Sequence, residues 1–152
     1  MGLSAVNLTD LAAPTYIQML GAMADWLDKA AAQMPPAEAE ALLAARLAPD
    51  MFPLATQVRF ACVQALEGMY RLRDEEFSPL VAALLDEGRA AGDHPGALAE
   101  ARGRIAEVIA ALRDLAEGAI VDEPSRALAH SLPNGMTFDF TAGQYLRDWA
   151  LP

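Results

Sequence analysis

The sequence predicts a mainly α-helical domain, an up-and-down four-helix bundle with a short β-hairpin between the third and fourth long helices. Three observations carry this prediction. Apolar residues recur at intervals of three and four in three separate stretches, each about 20 residues and so roughly 30 Å long. The period drops to two on either side of Pro133-Asn134-Gly135. The composition favours helices packed through small side chains, with 33 Ala and 21 Leu against five Phe, three Tyr and two Trp. At 152 residues, 54% hydrophobic and 21% charged, the chain reads as one domain over 1–152 with a single core. Collagen-like, disordered and disulfide-stapled chains are excluded.

The first long helix places Tyr16, Leu20, Met23, Leu27, Ala30 and Met34 on one face. Pro14 is expected in its first turn, with Thr9, Asp10 or Ala13 near the cap, and Pro35-Pro36 closes it. A shorter helical piece, Ala37 to Leu47, follows. In the second long helix, Pro53 to Arg73, the stripe is Leu54, Val58, Ala61, Ala65, Met69 and Leu72, widened by Cys62 and Leu66. Asp50 is expected to cap its start, where Pro53 is tolerated because first-turn amides have no intrahelical partner.

After the charged break Asp74-Glu75-Glu76, Ser78-Pro79 opens a short helix through Leu80, Val81, Leu84 and Leu85 that fades into Gly88 and Gly92. The third long helix has the cleanest period, Leu98, Ala101, Ile105, Val108, Leu112 and Leu115, and ends near Gly118. In the hairpin, a two-residue Asn134-Gly135 loop would mix polar and apolar residues on each face. A three-residue loop with Gly135 left-handed pairs Leu132 with Met136, His130 with Phe138 and Leu128 with Phe140. That register gives one apolar face and is the one predicted. A final helix after Gly143 carries Tyr145, Leu146 and Trp149.

Eleven basic against 21 acidic residues give a formal charge of −10, a field that repels nucleic-acid phosphates and anionic lipid surfaces. Only Lys29 and ten arginines are basic, and nowhere do they cluster into a phosphate-tracking stripe. No apolar run approaches the roughly 20 residues that cross a bilayer. A single cysteine, Cys62, excludes an intramolecular disulfide, and the expected compartment is cytoplasmic.

Several stretches point to one family: the Tyr16 to Ala31 helix ending Leu27-Asp28-Lys29-Ala30, the run Ala45 to Leu54 followed by Gln57-Val58, the hairpin entering Phe140, and Tyr145-Leu146 before Trp149-Ala150-Leu151-Pro152. Together they resemble the bacterial domain of unknown function nineteen-ninety-three, grouped with the DinB-like four-helix bundles. Asp74 to Gly92 looks like an insertion relative to it. Metal-binding members of the wider group use histidines on the second and fourth long helices. The second long helix here has no histidine, and the family's last helix runs on past the Leu151-Pro152 position, so the resemblance implies neither a metal site nor a full fourth helix.

The residues themselves offer little chemistry. His94 sits at a turn and His130 in a strand, without the spacing of metal ligands, and neither a cofactor loop nor a catalytic constellation is present. Cys62 lies on the buried stripe without basic neighbours to activate it. Arg46, Asp50 and Gln57 could contact a small ligand at the mouth of the bundle, together with Tyr145 and Trp149 from the final helix. The simpler reading makes Asp50 a helix cap, has Arg46 snorkel or pair with a carboxylate, and makes Gln57 a border of the apolar stripe and Tyr145 and Trp149 core anchors. The leading expectation is a non-enzymatic binding or self-association module. An enzyme or small-molecule carrier with a pocket near Asp50, Gln57 and Tyr145 is the alternative. A homodimer is expected because a short last helix leaves part of the apolar groove open. The competing solution plugs that groove with Leu80, Leu84 and Leu85; the acidic break and paired glycines favour a mobile flap there instead.

Overall fold

The protein is described by a computed structural model over residues 7–117 and 124–151. Helix α1, Leu8–Gln33, starts earlier than the large residues indicate. Asn7 caps it, its side-chain oxygen accepting from the Thr9 amide at 2.8 Å. Pro14 therefore lies inside the helix, on an exposed face, and not in the first turn. Small residues conceal this start: Thr9, Ala12 and Ala13 are almost wholly buried and continue the stripe toward the N-terminus.

Helix α2 is only Pro36–Ala41, followed by a 3-10 turn at Leu42–Ala44. The chain then becomes extended at Ala45, short of the predicted end at Leu47. Helix α3, Leu54–Arg73, has Pro53 at its cap position and no side-chain cap. Asp50 does not cap it; the residue is exposed one turn upstream. The first amide is satisfied by backbone instead, Leu54 N–H donating to the Ala45 carbonyl at 2.9 Å. At the other end Asp74 adopts left-handed φ of 56°, and the Glu75 amide closes on the Tyr70 carbonyl at 2.9 Å.

Helix α4, Pro79–Ala90, is docked on α3, which corrects the expectation of a mobile flap. Val81 and Leu84 are buried, and the Thr56 hydroxyl donates to the Gly88 carbonyl at 2.8 Å. Gly88 brings the helix in and does not end it: a Cβ there would stand 2.8 Å from Cδ1 of Phe60. Helix α5, Leu98–Glu117, buries Leu98, Ala101, Ile105, Val108 and Leu112, the predicted face; its predicted end at Gly118 lies outside the described residues. Helix α3 is central, with 12 of its 20 residues buried. Helices α1, α4 and α5 all pack against it, and α1 packs on α5.

Strands β1, Ala127–Ser131, and β2, Thr137–Thr141, pair antiparallel with Leu128 opposite Phe140 and His130 opposite Phe138. This is the three-residue-loop register. Gly135 has φ of +84°, its amide donates to the Leu132 carbonyl at 3.0 Å, and the Leu132 amide donates to the Met136 carbonyl at 2.7 Å. The apolar face is closed only at its inner end, since Met136 remains 52% exposed and Phe138 37%. Helix α6, Ala142–Tyr145, starts one residue before Gly143 in a capping box of Thr141 and Gln144, and continues as a π turn over Leu146–Ala150.

Candidate functional site

The predicted ligand-contacting residues fall into two separate places. Arg46 and Gln57 line a largely apolar pocket of about 440 Å³ with Met51, Phe52 and Leu54. Among the described residues Arg46 pairs with no carboxylate; its Nη1 donates to the Met51 carbonyl at 2.5 Å and staples the loop before α3. Asp50 is exposed in that loop. Tyr145 and Trp149 lie elsewhere, because the hairpin returns the chain to the Glu67–Arg71 segment of α3. Ten residues along a helix separate that segment from Gln57 by roughly 15 Å.

At this second place a polar group of unusual composition forms under the hairpin. His130, 3% exposed, has its ring 4.7 Å from that of Trp149 and 5.5 Å from that of Tyr145. From α3, Arg71 Nη1 donates to the Ala129 carbonyl at 3.0 Å, and its guanidinium carbon lies 5.0 Å from the Phe77 ring centre. Gln64 Nε2 donates to the Trp149 carbonyl at 3.2 Å and ties the π turn to α3. Three buried polar atoms have no hydrogen-bond partner among the described residues: His130 Nδ1, Tyr145 Oη and Arg71 Nε. Each such atom ordinarily costs about 1–3 kcal/mol unless something else satisfies it.

Burial governs the ionisation of the group. It raises the Glu67 carboxyl above its ordinary 4.5, against the opposing pull of Arg71. It holds His130 below its ordinary 6.5, with Arg71 adding to the effect. The Tyr145 hydroxyl is likewise pushed upward by burial. Beside this group opens a cleft of about 420 Å³, walled by Phe60, Glu67, Phe77, Leu132 and Trp149. A neutral imidazole, a carboxyl biased toward its protonated form and an aromatic wall can orient a ligand by hydrogen bonding and stacking. They supply no activated nucleophile. Cys62, fully buried on α3, has its thiol pushed up to about 12 by burial, and His94 stands exposed on a turn.

The family model of the domain of unknown function DUF1993 matches residues 8–152, from the start of α1 through the π turn. The chain belongs to the DUF1993 family. No curated protein matches it. The DUF1993 match takes in both the Arg46 loop and the hairpin with α6. Among the described residues, no three His, Cys, Asp or Glu side chains gather into a group that could hold a metal, and no helix is long and apolar enough to cross a membrane.

Sequence reasoning reached Tyr145 and Trp149 but missed Gln64, Glu67 and Arg71. Glu67 and Arg71 are four apart on α3, beside the apolar stripe, which is the spacing of an ordinary exposed ion pair. Only the long-range return of the hairpin turns that edge of α3 into a site.

Proposed function

We propose that this DUF1993 protein is a DinB-like bundle protein of the bacterial cytoplasm that acts as a non-enzymatic binding module. Its ligand is a small, largely apolar molecule with one hydrogen-bonding head, taken into the cleft under the hairpin. The observation that carries this reading is that His130 and Arg71, each with a buried polar atom unmatched among the described residues, both line an open, aromatic-walled cleft. The cleft lies within the size range of small-molecule sites, and a polar head reaching Glu67 or His130 would set the ligand's orientation. The single cysteine, free and buried, fits a reducing compartment.

Native mass spectrometry of freshly purified protein, with tryptophan fluorescence of a Trp26→Phe variant titrated with small aromatic amides and carboxylic acids, tests the proposal. A bound mass, or a saturable change in Trp149 emission that Glu67→Leu abolishes, supports it. A bare chain whose Trp149 emission ignores every compound overturns it.

A second observation favours self-association alongside ligand binding. Met19 and Trp26 on α1 are 56% and 60% exposed, and they border a largely apolar groove of about 410 Å³ with Leu20, Met23, Ala61 and Ala65. A second copy packed there would form a homodimer and remove this apolar surface from water. Sedimentation equilibrium at micromolar concentration should give a dimer mass that Met19→Glu with Trp26→Glu returns to monomer. A monomeric wild type refutes this reading.

A further inference from the structure

Arg59 occupies a different cleft, of about 480 Å³, formed where α4 and α5 meet α3 and bordered by Glu87, His94, Gly96, Glu100 and Arg104. Its side chain is buried, with the residue only 5% exposed, and its one counter-ion, Glu87, is shared with Arg104. Arg104 holds Glu87 through Nε, at 3.0 and 3.3 Å from the two carboxylate oxygens, and again through Nη2. Arg59 keeps one long contact, Nε to Glu87 Oε2 at 3.4 Å, and its Nη1 is buried with no partner among the described residues. A desolvated guanidinium with an unused donor is a strong binder of carboxylate.

The same cleft carries a negative wall. Glu100 accepts the Ala97 amide at 3.0 Å through Oε2, which leaves a carboxylate's remaining lone pairs for another donor. Gly96, at φ +73°, keeps open the space between the two charges: a Cβ there would stand 2.5 Å from Glu100 Oε2 and 3.8 Å from Arg59 Nη2. Gly103, also on the cleft, has none of the described residues within 4 Å of its Cβ position. A molecule lying where a Gly96 side chain is missing would have a cation on one side and an anion on the other.

We propose that this cleft is a second site, independent of the one under the hairpin, for a small zwitterion of the amino-acid type, its carboxylate on Arg59 and its ammonium on Glu100. Arg59 and Arg104 face Glu87 and Glu100 across the cleft, and Arg104 also holds Glu107 beside it, so a ligand of zero net charge adds nothing to a local excess of carboxylate. A bare anion would add charge beside two carboxylates in a chain already at −10.

The test is an NMR titration of the intact protein with L-alanine, L-leucine and L-glutamine, using propionate and ethylammonium as one-ended probes. At least one amino acid should shift the Gly96 and Gly103 amides saturably, with affinity at least about tenfold above either one-ended probe. Glu100→Gln keeps an oxygen for the Ala97 amide and should weaken that binding by about tenfold, as should Arg59→Lys, which loses the planar fork. If Arg59→Lys fails to fold, Glu100→Gln decides alone. Absence of saturable shifts up to roughly 50 mM with all three amino acids overturns the proposal. So does propionate binding equally well, an unchanged affinity in Glu100→Gln, or shifts confined to the Trp149 indole.

Discussion

Gly68 of α3 faces the hydroxyl end of the Tyr16 side chain of α1: a Cβ at Gly68 would stand 3.0 Å from the tyrosine Cζ and closer still to its hydroxyl. The hydroxyl in turn donates to the Ala150 carbonyl at 2.9 Å, so one contact fixes α1, α3 and the π turn together. Gly68→Ala should destabilise the protein by about 1–3 kcal/mol, since the ring cannot withdraw without breaking that hydrogen bond. Tyr16→Phe should cost about 1 kcal/mol. Because Tyr16→Phe removes the atom that clashes most, the double variant should be more stable than the two single costs added together. Urea denaturation of the four proteins measures this coupling, and simple additivity would disprove the shared contact.

Gly135 tests backbone conformation in isolation from packing. Its φ is +84° and no atom of the described residues lies within 4 Å of a Cβ position, so substitution meets no steric neighbour among them. Gly135→Val should nonetheless lower stability by about 1–2 kcal/mol, because a β-branched residue strains in the left-handed region. Gly135→Asn should cost less than half of that, as asparagine tolerates this region best among ordinary residues. Equal melting temperatures for the two variants would show that the turn relaxes to another form.

The hairpin was the most legible part of the fold, for a local reason: loop length and face polarity constrain register within fifteen residues, and nothing distant has to be known. The start of α1 was hidden because Ala12 and Ala13, buried to 0% and 1%, carry no size signal. Asp50 misled because its type suits a cap, while the carbonyl that meets the Leu54 amide belongs to Ala45, in a loop whose path no local pattern specifies. Arg59 shows the general difficulty. It lies between buried Val58 and Cys62 on a helix covered from several sides, and the covering element is α4. A charged residue beside an apolar stripe reads as a border position until the partner that buries it is placed.

The polar group under the hairpin should give stability a pH dependence of opposite sign from its two members. His130 titrates below its ordinary 6.5 in the folded protein, so the unfolded chain binds the proton more readily. Its contribution is present above the ordinary histidine value and is lost as pH falls through the lower folded one. Glu67 titrates above its ordinary 4.5 when folded, so its contribution is present below that value and is lost as pH rises through the higher folded one. Denaturation midpoints between about pH 4 and 8 should show His130→Asn flattening the acid side of the profile and Glu67→Gln removing the decline above the carboxylate range. A profile unchanged by both substitutions would place the pH dependence in the other carboxylates.

The two tryptophans should respond oppositely to truncation, although composition treats them alike. Trp26 is 60% exposed on α1, so within a single chain Trp26→Ala gives up little packing and should change stability by no more than about 0.5 kcal/mol. Trp149 is half-buried at the centre of an aromatic group, its ring 4.7 Å from His130, 5.7 Å from Phe138 and 6.4 Å from Phe140. Phe138 is 37% exposed even with that ring beside it, so little else on the hairpin could compensate for its loss. Trp149→Ala should cost about 2–4 kcal/mol, reduced from the full-burial value because part of the side chain already faces solvent. The loss should also be local. Helices α1, α3 and α5 contribute Leu20, Val58, Leu66, Met69, Ile105 and Leu112 to the buried core, whereas Trp149 packs against that core as a partly buried residue. Hydrogen exchange should therefore accelerate at the β1 and β2 amides while the helical amides retain their protection. Uniform acceleration across the chain would mean that the hairpin and the helices unfold as one cooperative unit, with Trp149 as part of the common core.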